Sequence, residues 1–187
     1  MEVYKLLRNL ENIDSNVRYE MVFGSLGKVS TKEAINHLID LLNNSPNVLI
    51  RIDAVRALAQ LKAKETIQTF IALLNDLDDD VRCEVVWELR SLGDKEAIPH
   101  LIPLLEDPIW RVRSSAVNAL AQLEAKEAIQ KIIVLLNDKI MNVRREAILA
   151  LVKLEAKEAI SDLRKLLNNP NIYIRDEAVK ALDKLQR

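Results

Sequence analysis

The sequence predicts an all-α stack of six helix hairpins, and three observations predict it. One phrase recurs at a fixed spacing, each recurrence carries two amphipathic helical patterns, and turn-forming residues are scarce. The phrase is clearest from Val112 to Leu123, V-R-S-S-A-V-N-A-L-A-Q-L. It returns at Ile50-Arg51, Val81-Arg82, Val143-Arg144 and Ile174-Arg175, with a looser copy at Val17-Arg18. Successive starts lie 33 residues apart once and 31 apart four times. Such a period marks stacked units, each too small to bury its apolar face alone.

Composition agrees. The 187 residues are 49% hydrophobic and 29% charged, the balance of a folded soluble domain rather than a disordered chain. Only 3 Gly and 5 Pro leave little room for the turns of an all-β fold, and 4% aromatics make the core aliphatic. A single domain over 1–187 is expected, with units at about 1–29, 30–62, 63–93, 94–124, 125–155 and 156–187, or about 12 helices.

The first helix of each unit carries apolar residues at i, i+3, i+4 and i+7, one stripe of an α-helix. The sets are Val3/Leu6/Leu7/Leu10, Ile35/Leu38/Ile39/Leu42, Ile67/Phe70/Ile71/Leu74, Ile98/Leu101/Ile102/Leu105, Ile129/Ile132/Ile133/Leu136 and Ile160/Leu163/Arg164/Leu167. Arg164 breaks the last stripe. Pro103 lies inside a first helix and should bend it, because it removes a backbone donor and crowds the preceding turn. Gly27 and Gly93 stand where a helix C-cap wants positive φ, with Ala63, Ala125 and Ala156 expected in the corresponding place elsewhere.

The second helix is the recurring phrase. Counting its Val or Ile as position 0, apolar residues fall at 0, 4, 5, 7, 8 and 11, about half the circumference. Alanines at 4 and 7 (Ala54/Ala57, Ala116/Ala119, Ala147/Ala150, Ala178/Ala181) allow close backbone approach. Five residues before position 0 stands Asn12, Ser45, Asp76, Asp107, Asp138 or Asn169, each able to accept from a turn amide. One residue after it stands Arg18, Arg51, Arg82, Arg113, Arg144 or Arg175. These six are expected to form a structural ladder, their donor forks bridging to the acceptor row.

The turn Asp, then V-R, then A-V-x-A-L-x-x-L resembles the HEAT repeat. With K-E-A-I-x-x-L-I-x-L-L opening the first helix and a 31-residue period, the chain is similar to the short HEAT-like repeats of phycobilin lyases. The resemblance implies a right-handed α-solenoid, its V-R helices lining a concave inner face and its K-E-A-I helices the convex back.

No chemistry announces itself. The chain lacks Cys-x-x-Cys, H-x-x-x-H, a His-Glu pair, a Gly-rich phosphate loop and a G-x-S-x-G elbow, so no metal, cofactor or catalytic residue is expected. His37 and His100, on equivalent first helices, read as surface residues. Cys83, the single cysteine, has no histidine on its face and reads as an ordinary thiol. Acidic residues are everywhere, and their spacing carries no signal for a catalytic pair.

Residues opposite the buried stripe, at positions 2, 6 and 9 or 10, are free to vary with function, and positions 2 and 6 are read down the stack. They give Tyr19/Phe23, Ile52/Arg56, Cys83/Trp87, Ser114/Asn118, Arg145/Leu149 and Asp176/Lys180, and the preceding turns add Leu49, Trp110, Arg111, Met141 and Tyr173. Aromatics beside arginine are what binding hot spots look like. The expected partner-binding residues are Tyr19, Phe23, Ile52, Arg56, Cys83, Trp87, Trp110, Arg111, Asn118, Arg145 and Leu149, with Asp53 and Glu84 near Arg56. Asp176, Glu177, Lys180, Asp183 and Lys184 make a solvated face suited to ending a stack.

The expected function is a non-catalytic scaffold that binds another protein or peptide, as a monomer. The alternative is a lyase-like or chaperone-like protein that handles a tetrapyrrole and its acceptor protein. Nucleic acid is the least favoured ligand, because a net charge of −1 supplies no phosphate-tracking field. No apolar run reaches the ~18 residues of a membrane span. The N-terminal M-E-V-Y-K-L-L-R-N-L has no basic lead followed by an apolar block, so a cytoplasmic location is expected.

Overall fold

The structure, a computed structural model, describes residues 31–61 and 65–186. Every regular element among them is helical. The unit expected at 1–29 lies outside the described residues, with Asn12, Arg18, Tyr19, Phe23 and Gly27, and so does Ala63. The chain divides into two compact units, Met1–Glu88 and Leu89–Arg187.

In the first unit, α1 (Thr31–Asn44) and α2 (Val48–Leu61) pack on each other through a three-residue connection. A link that short leaves consecutive helices antiparallel. Next come α3 (Glu65–Leu73), in contact with α2, and α4 (Asp79–Leu92), which runs on past the division between the units. In the second unit the V-R helices are α6 (Trp110–Gln122), α8 (Met141–Lys153) and α10 (Ile172–Leu185). α8 packs on both α6 and α10. The first helices contain the short α segments α5 (Ile98–Leu101), α7 (Ile129–Val134) and α9 (Ile160–Lys165).

These first helices are not continuous α-helix. Each opens on a 3₁₀ turn made by its K-E-A (95–97, 126–128, 157–159) and closes on another (102–106, 135–137, 166–168). Pro103 sits in the closing turn of the first, where the α segment holds four residues against six in the other two. The bend expected at Pro103 is therefore an early change to 3₁₀ winding, which the two proline-free copies make two residues later.

The core pattern does not depend on the winding. Consecutive leucines both turn inward at Leu104/Leu105 and Leu135/Leu136, as they do at Leu41/Leu42 of the continuous α1, and the i+4 residues Ile39, Ile102 and Ile133 are only half-buried. In the last copy Leu163 and Leu166 are buried, but Leu167 is exposed beside Arg164.

The V-R helices bury positions 0, 4, 5, 7 and 8 closely, as Val112, Ala116, Val117, Ala119 and Leu120 show. Position 9, expected on the open face, is also buried where it is alanine, at Ala59 and Ala121. Position 5 is buried at Val55, Val86, Val117 and Ile148, but Val179 is 48% exposed. The last hairpin thus shows apolar surface next to the polar face expected of it.

The helix ends carry one correction. Gly93 has φ +71 as expected, but its counterparts are Glu124 (φ 58) and Glu155 (φ 54), one residue before Ala125 and Ala156. In both copies the two crossed bonds of a Schellman end are present, Glu124 N–H to Ala121 and Ala125 N–H to Leu120, then Glu155 N–H to Val152 and Ala156 N–H to Leu151. Ala125 and Ala156 follow these ends and are fully buried.

Candidate functional site

Each V-R helix is tied to the turn before it by the turn residues. Asp76, Asp107, Asp138 and Asn169 each accept, through the side chain, the amide two residues on, at 2.8, 2.8, 2.8 and 3.0 Å. Ser45 does the same at 3.3 Å. The arginine six residues after each returns to the same turn, donating Nη1 to its backbone carbonyl. These bonds run from Arg51 to Ser45 (3.1 Å), Arg82 to Asp76 (2.7 Å), Arg113 to Asp107 (2.8 Å), Arg144 to Asp138 (2.7 Å) and Arg175 to Asn169 (2.8 Å).

Arg51 and Arg113 also reach the next turn. Arg51 Nη2 lies 3.0 Å from Asp76 Oδ1. Arg113 grips Asp138 with Nε at 2.7 Å and Nη2 at 2.9 Å. Burial pushes the Asp138 carboxyl up, but the Arg113 hydrogen bond, the Ile140 amide and the Arg113 charge together hold it below its usual range. In the sequence the acceptor of the turn after Arg144 is Asn169 rather than an aspartate, and the buried Nε atoms of Arg144 and of Arg51 have no hydrogen-bond partner. These guanidinia are tied to turns, leaving the open face to other residues.

On that face, position 6 of one helix bonds to position 3 of the next. Arg56 donates Nε and Nη2 to Glu84 at 2.6 and 3.0 Å. Asn118 donates to Glu146 at 2.6 Å and accepts from Arg90 at 2.7 Å, so both ends of its amide are engaged. At Trp87 and Leu149 an apolar side chain replaces this polar rung, and both are exposed, Trp87 by 51%.

The other expected contact residues divide between the units. Ile52 and Cys83 are half-buried in the first; Trp110, Arg111 and Arg145 are exposed in the second. Leu49, Met141 and Tyr173 are exposed beside the turns, joined by Ile172. Ile172 is the 31-residue counterpart of Trp110 and Met141, and it was not among the turn residues expected on the open face. Asn171, which caps α10 through the amides of Tyr173 and Ile174, also donates to Met141 Sδ at 3.2 Å.

Sequence reasoning missed Glu88. It occupies position 7, where Ala57, Ala119, Ala150 and Ala181 stand in other copies, and it is only 7% exposed. Asp53, 1% exposed, lies 4.0 Å from Arg56 Nη1. Burial, then the nearby Glu84 charge, pushes the Glu88 carboxyl up to about 7, with Arg56 offsetting only part of this. The signal was present as a charged letter inside the buried stripe.

A family model for HEAT repeats matches residues 3–76, 35–121, 67–140 and 101–183. The chain belongs to the HEAT-repeat family. No protein of curated function matches it in sequence. Among solved structures, this HEAT chain resembles YibA of Escherichia coli at 24% identity and TM-score 0.72, covering 98% of this chain and 70% of that one. It also resembles the CpcE–CpcF complex of phycocyanin lyase from Nostoc sp. (24%, TM-score 0.59, 94% and 73% covered). A designed armadillo repeat protein in complex with the peptide (KR)4 is similar too (23%, TM-score 0.59, 99% and 100% covered). At these identities the likeness shows the α-solenoid fold alone.

The HEAT hairpins bring no metal-binding group of three His, Cys, Asp or Glu side chains together among the described residues. His100 is exposed as expected. His37 is not: it is half-buried, and its Nε2 is buried without a hydrogen-bond partner. No helix among the described residues is long and apolar enough to cross a membrane.

Proposed function

We propose that this HEAT-repeat protein is a non-catalytic scaffold, monomeric and cytoplasmic, that binds a partner protein or peptide on the face of its V-R helices. The observation that carries the proposal is the half-exposed indole of Trp87, at a position that Arg56 and Asn118 fill with interhelical hydrogen bonds. An exposed aromatic costs solubility, whereas at an interface it is among the strongest anchors. Leu149 repeats the pattern in the second unit.

The turn lattice supports the same function, because it fixes the V-R helices without using positions 2 and 6. The armadillo neighbour holds a peptide and the CpcE–CpcF neighbour is a complex of two chains, which supports a peptide or protein as the occupant. The test is to capture the partner from native lysate, identify it and titrate it against Trp87→Ala and Leu149→Ala. Each change should weaken binding by about ten-fold, the scale of a buried anchor. Unchanged affinity in both would overturn the assignment of the face.

A further inference from the structure

The V-R helices of the second unit narrow the kind of partner they can hold. α6, α8 and α10 each open on an exposed apolar residue, Trp110, Met141 and Ile172, with Tyr173 beside the last. α8 packs on α6 and α10, and the Asn171 amide reaches Met141 Sδ at 3.2 Å, so these residues form one row across the helices. Packed helices stand about 8–10 Å apart, close to the ~10.5 Å that seven residues of an α-helix rise.

On α8 the row leads inward along one stripe. Met141, Arg145 and Leu149 follow at intervals of four, and all three are exposed. From Met141 to Leu149 is about 12 Å of helix, the width of one further helix with its side chains. Arg145 stands midway, and among the described residues no carboxylate lies within ion-pair distance of it. The acids at position 3 of α8 and α10, Glu146 and Glu177, accept from Asn118 and Lys180, and Asp176 is the counterpart of Arg145 on α10.

In water an exposed arginine needs no partner. Beneath a segment that covers Met141 and Leu149 it loses that water, and an unpaired guanidinium there opposes binding. The apolar surface and the cation are satisfied together only by a segment with a carboxylate inside its own apolar stripe.

We propose that this face receives an amphipathic α-helix of the partner, laid across α6, α8 and α10, whose apolar stripe is interrupted by one glutamate or aspartate that pairs with Arg145. Trp110, Met141, Ile172 and Leu149 take the apolar side chains, and the fork of Arg145 takes both carboxylate oxygens. The inference rests on the V-R face being the binding surface and names its occupant.

The experiment titrates the full chain with dye-labelled synthetic helices of about 15 residues, long enough to span three V-R helices, read by fluorescence anisotropy. One peptide carries a leucine stripe with a single central glutamate, and a second has lysine in place of that glutamate. A third holds the side chains of the first on a proline-rich, non-helical backbone. The glutamate helix should bind about ten-fold more tightly than the lysine helix, and Arg145→Glu should reverse that preference, which a merely structural arginine would not do. Trp110→Ala and Ile172→Ala should each weaken the glutamate helix several-fold, whereas Lys126→Glu, at an exposed cation of a first helix, should leave it unchanged. No binding of the glutamate helix, a preference that Arg145→Glu does not alter, or equal binding of the proline-rich peptide overturns the inference. A captured partner that weakens with Leu149→Ala but not with Arg145→Glu refutes this occupant while leaving the V-R face in place.

Discussion

Replacing Glu88 by glutamine should make the protein more stable at neutral pH, and by an amount that depends on pH. The carboxyl moves from its ordinary 4.5 to about 7 on folding. Between those values the folded state holds a proton that the unfolded chain has released. The contribution of Glu88 to stability is therefore most favourable below about 4.5 and falls as pH rises, levelling off above about 7. At ~1.4 kcal/mol per pKa unit, a shift of about 2.5 units costs up to ~3 kcal/mol at pH 8. Glutamine fills the same space, stays neutral at every pH and removes this loss. Urea unfolding of both proteins at several pH values between 4 and 8 isolates the effect, because every other titrating group is common to the two. The stability difference should be small near pH 4 and rise to a few kcal/mol by pH 8. A difference that stays flat across this range would refute the burial of an unpartnered carboxyl at position 88.

Three further expectations concern the scaffold. Asn169→Asp should give the orphaned Arg144 Nε a carboxylate while keeping the turn acceptor, raising stability by about 1 kcal/mol in urea unfolding. Arg113→Ala should cost about 3 kcal/mol, because it strands the Asp138 carboxylate and the Asp107 carbonyl together; a loss below about 1 kcal/mol would show that the lattice contributes little. Glu124→Gly and Glu155→Gly should each stabilise by about 0.5–1 kcal/mol, since both hold positive φ at a Schellman end, whereas Gly93→Ala should destabilise by a similar amount. Differential scanning calorimetry would read these last three.

The repeat period, the alternation of helices and the turn lattice were legible in one dimension because each depends on spacing along the chain. Asp107 and Arg113 stand six residues apart in sequence, and the hydrogen bond between turn carbonyl and guanidinium spans that same interval. What depends on neighbouring repeats was less legible. Position 9 looked open on an isolated helix, yet Ala59 and Ala121 are buried. Val179 matches Val117 in sequence but is exposed, because burial at position 5 is not a property of the helix that carries it. The left-handed residue was misplaced by one because glycine marks it at 93 but glutamate holds it at 124 and 155, where the crossed carbonyl bonds fix the backbone whatever the side chain. Glu88 was overlooked for a different reason. The search for function followed letters that vary on the open face, whereas this letter varies inside the buried stripe.

The central claim is that partner binding belongs to the varying residues of the V-R helices and not to the first helices behind them. The most direct measurement titrates the captured partner, by calorimetry, against two sets of variants. One set alters the V-R face, Trp87→Ala and Leu149→Ala; the other alters exposed residues of the first helices, Val134→Ala and His100→Ala. Losses of about ten-fold in the first set with near-unchanged affinity in the second are the predicted result. The reverse pattern, with affinity lost at Val134 and His100 and kept at Trp87 and Leu149, would contradict it.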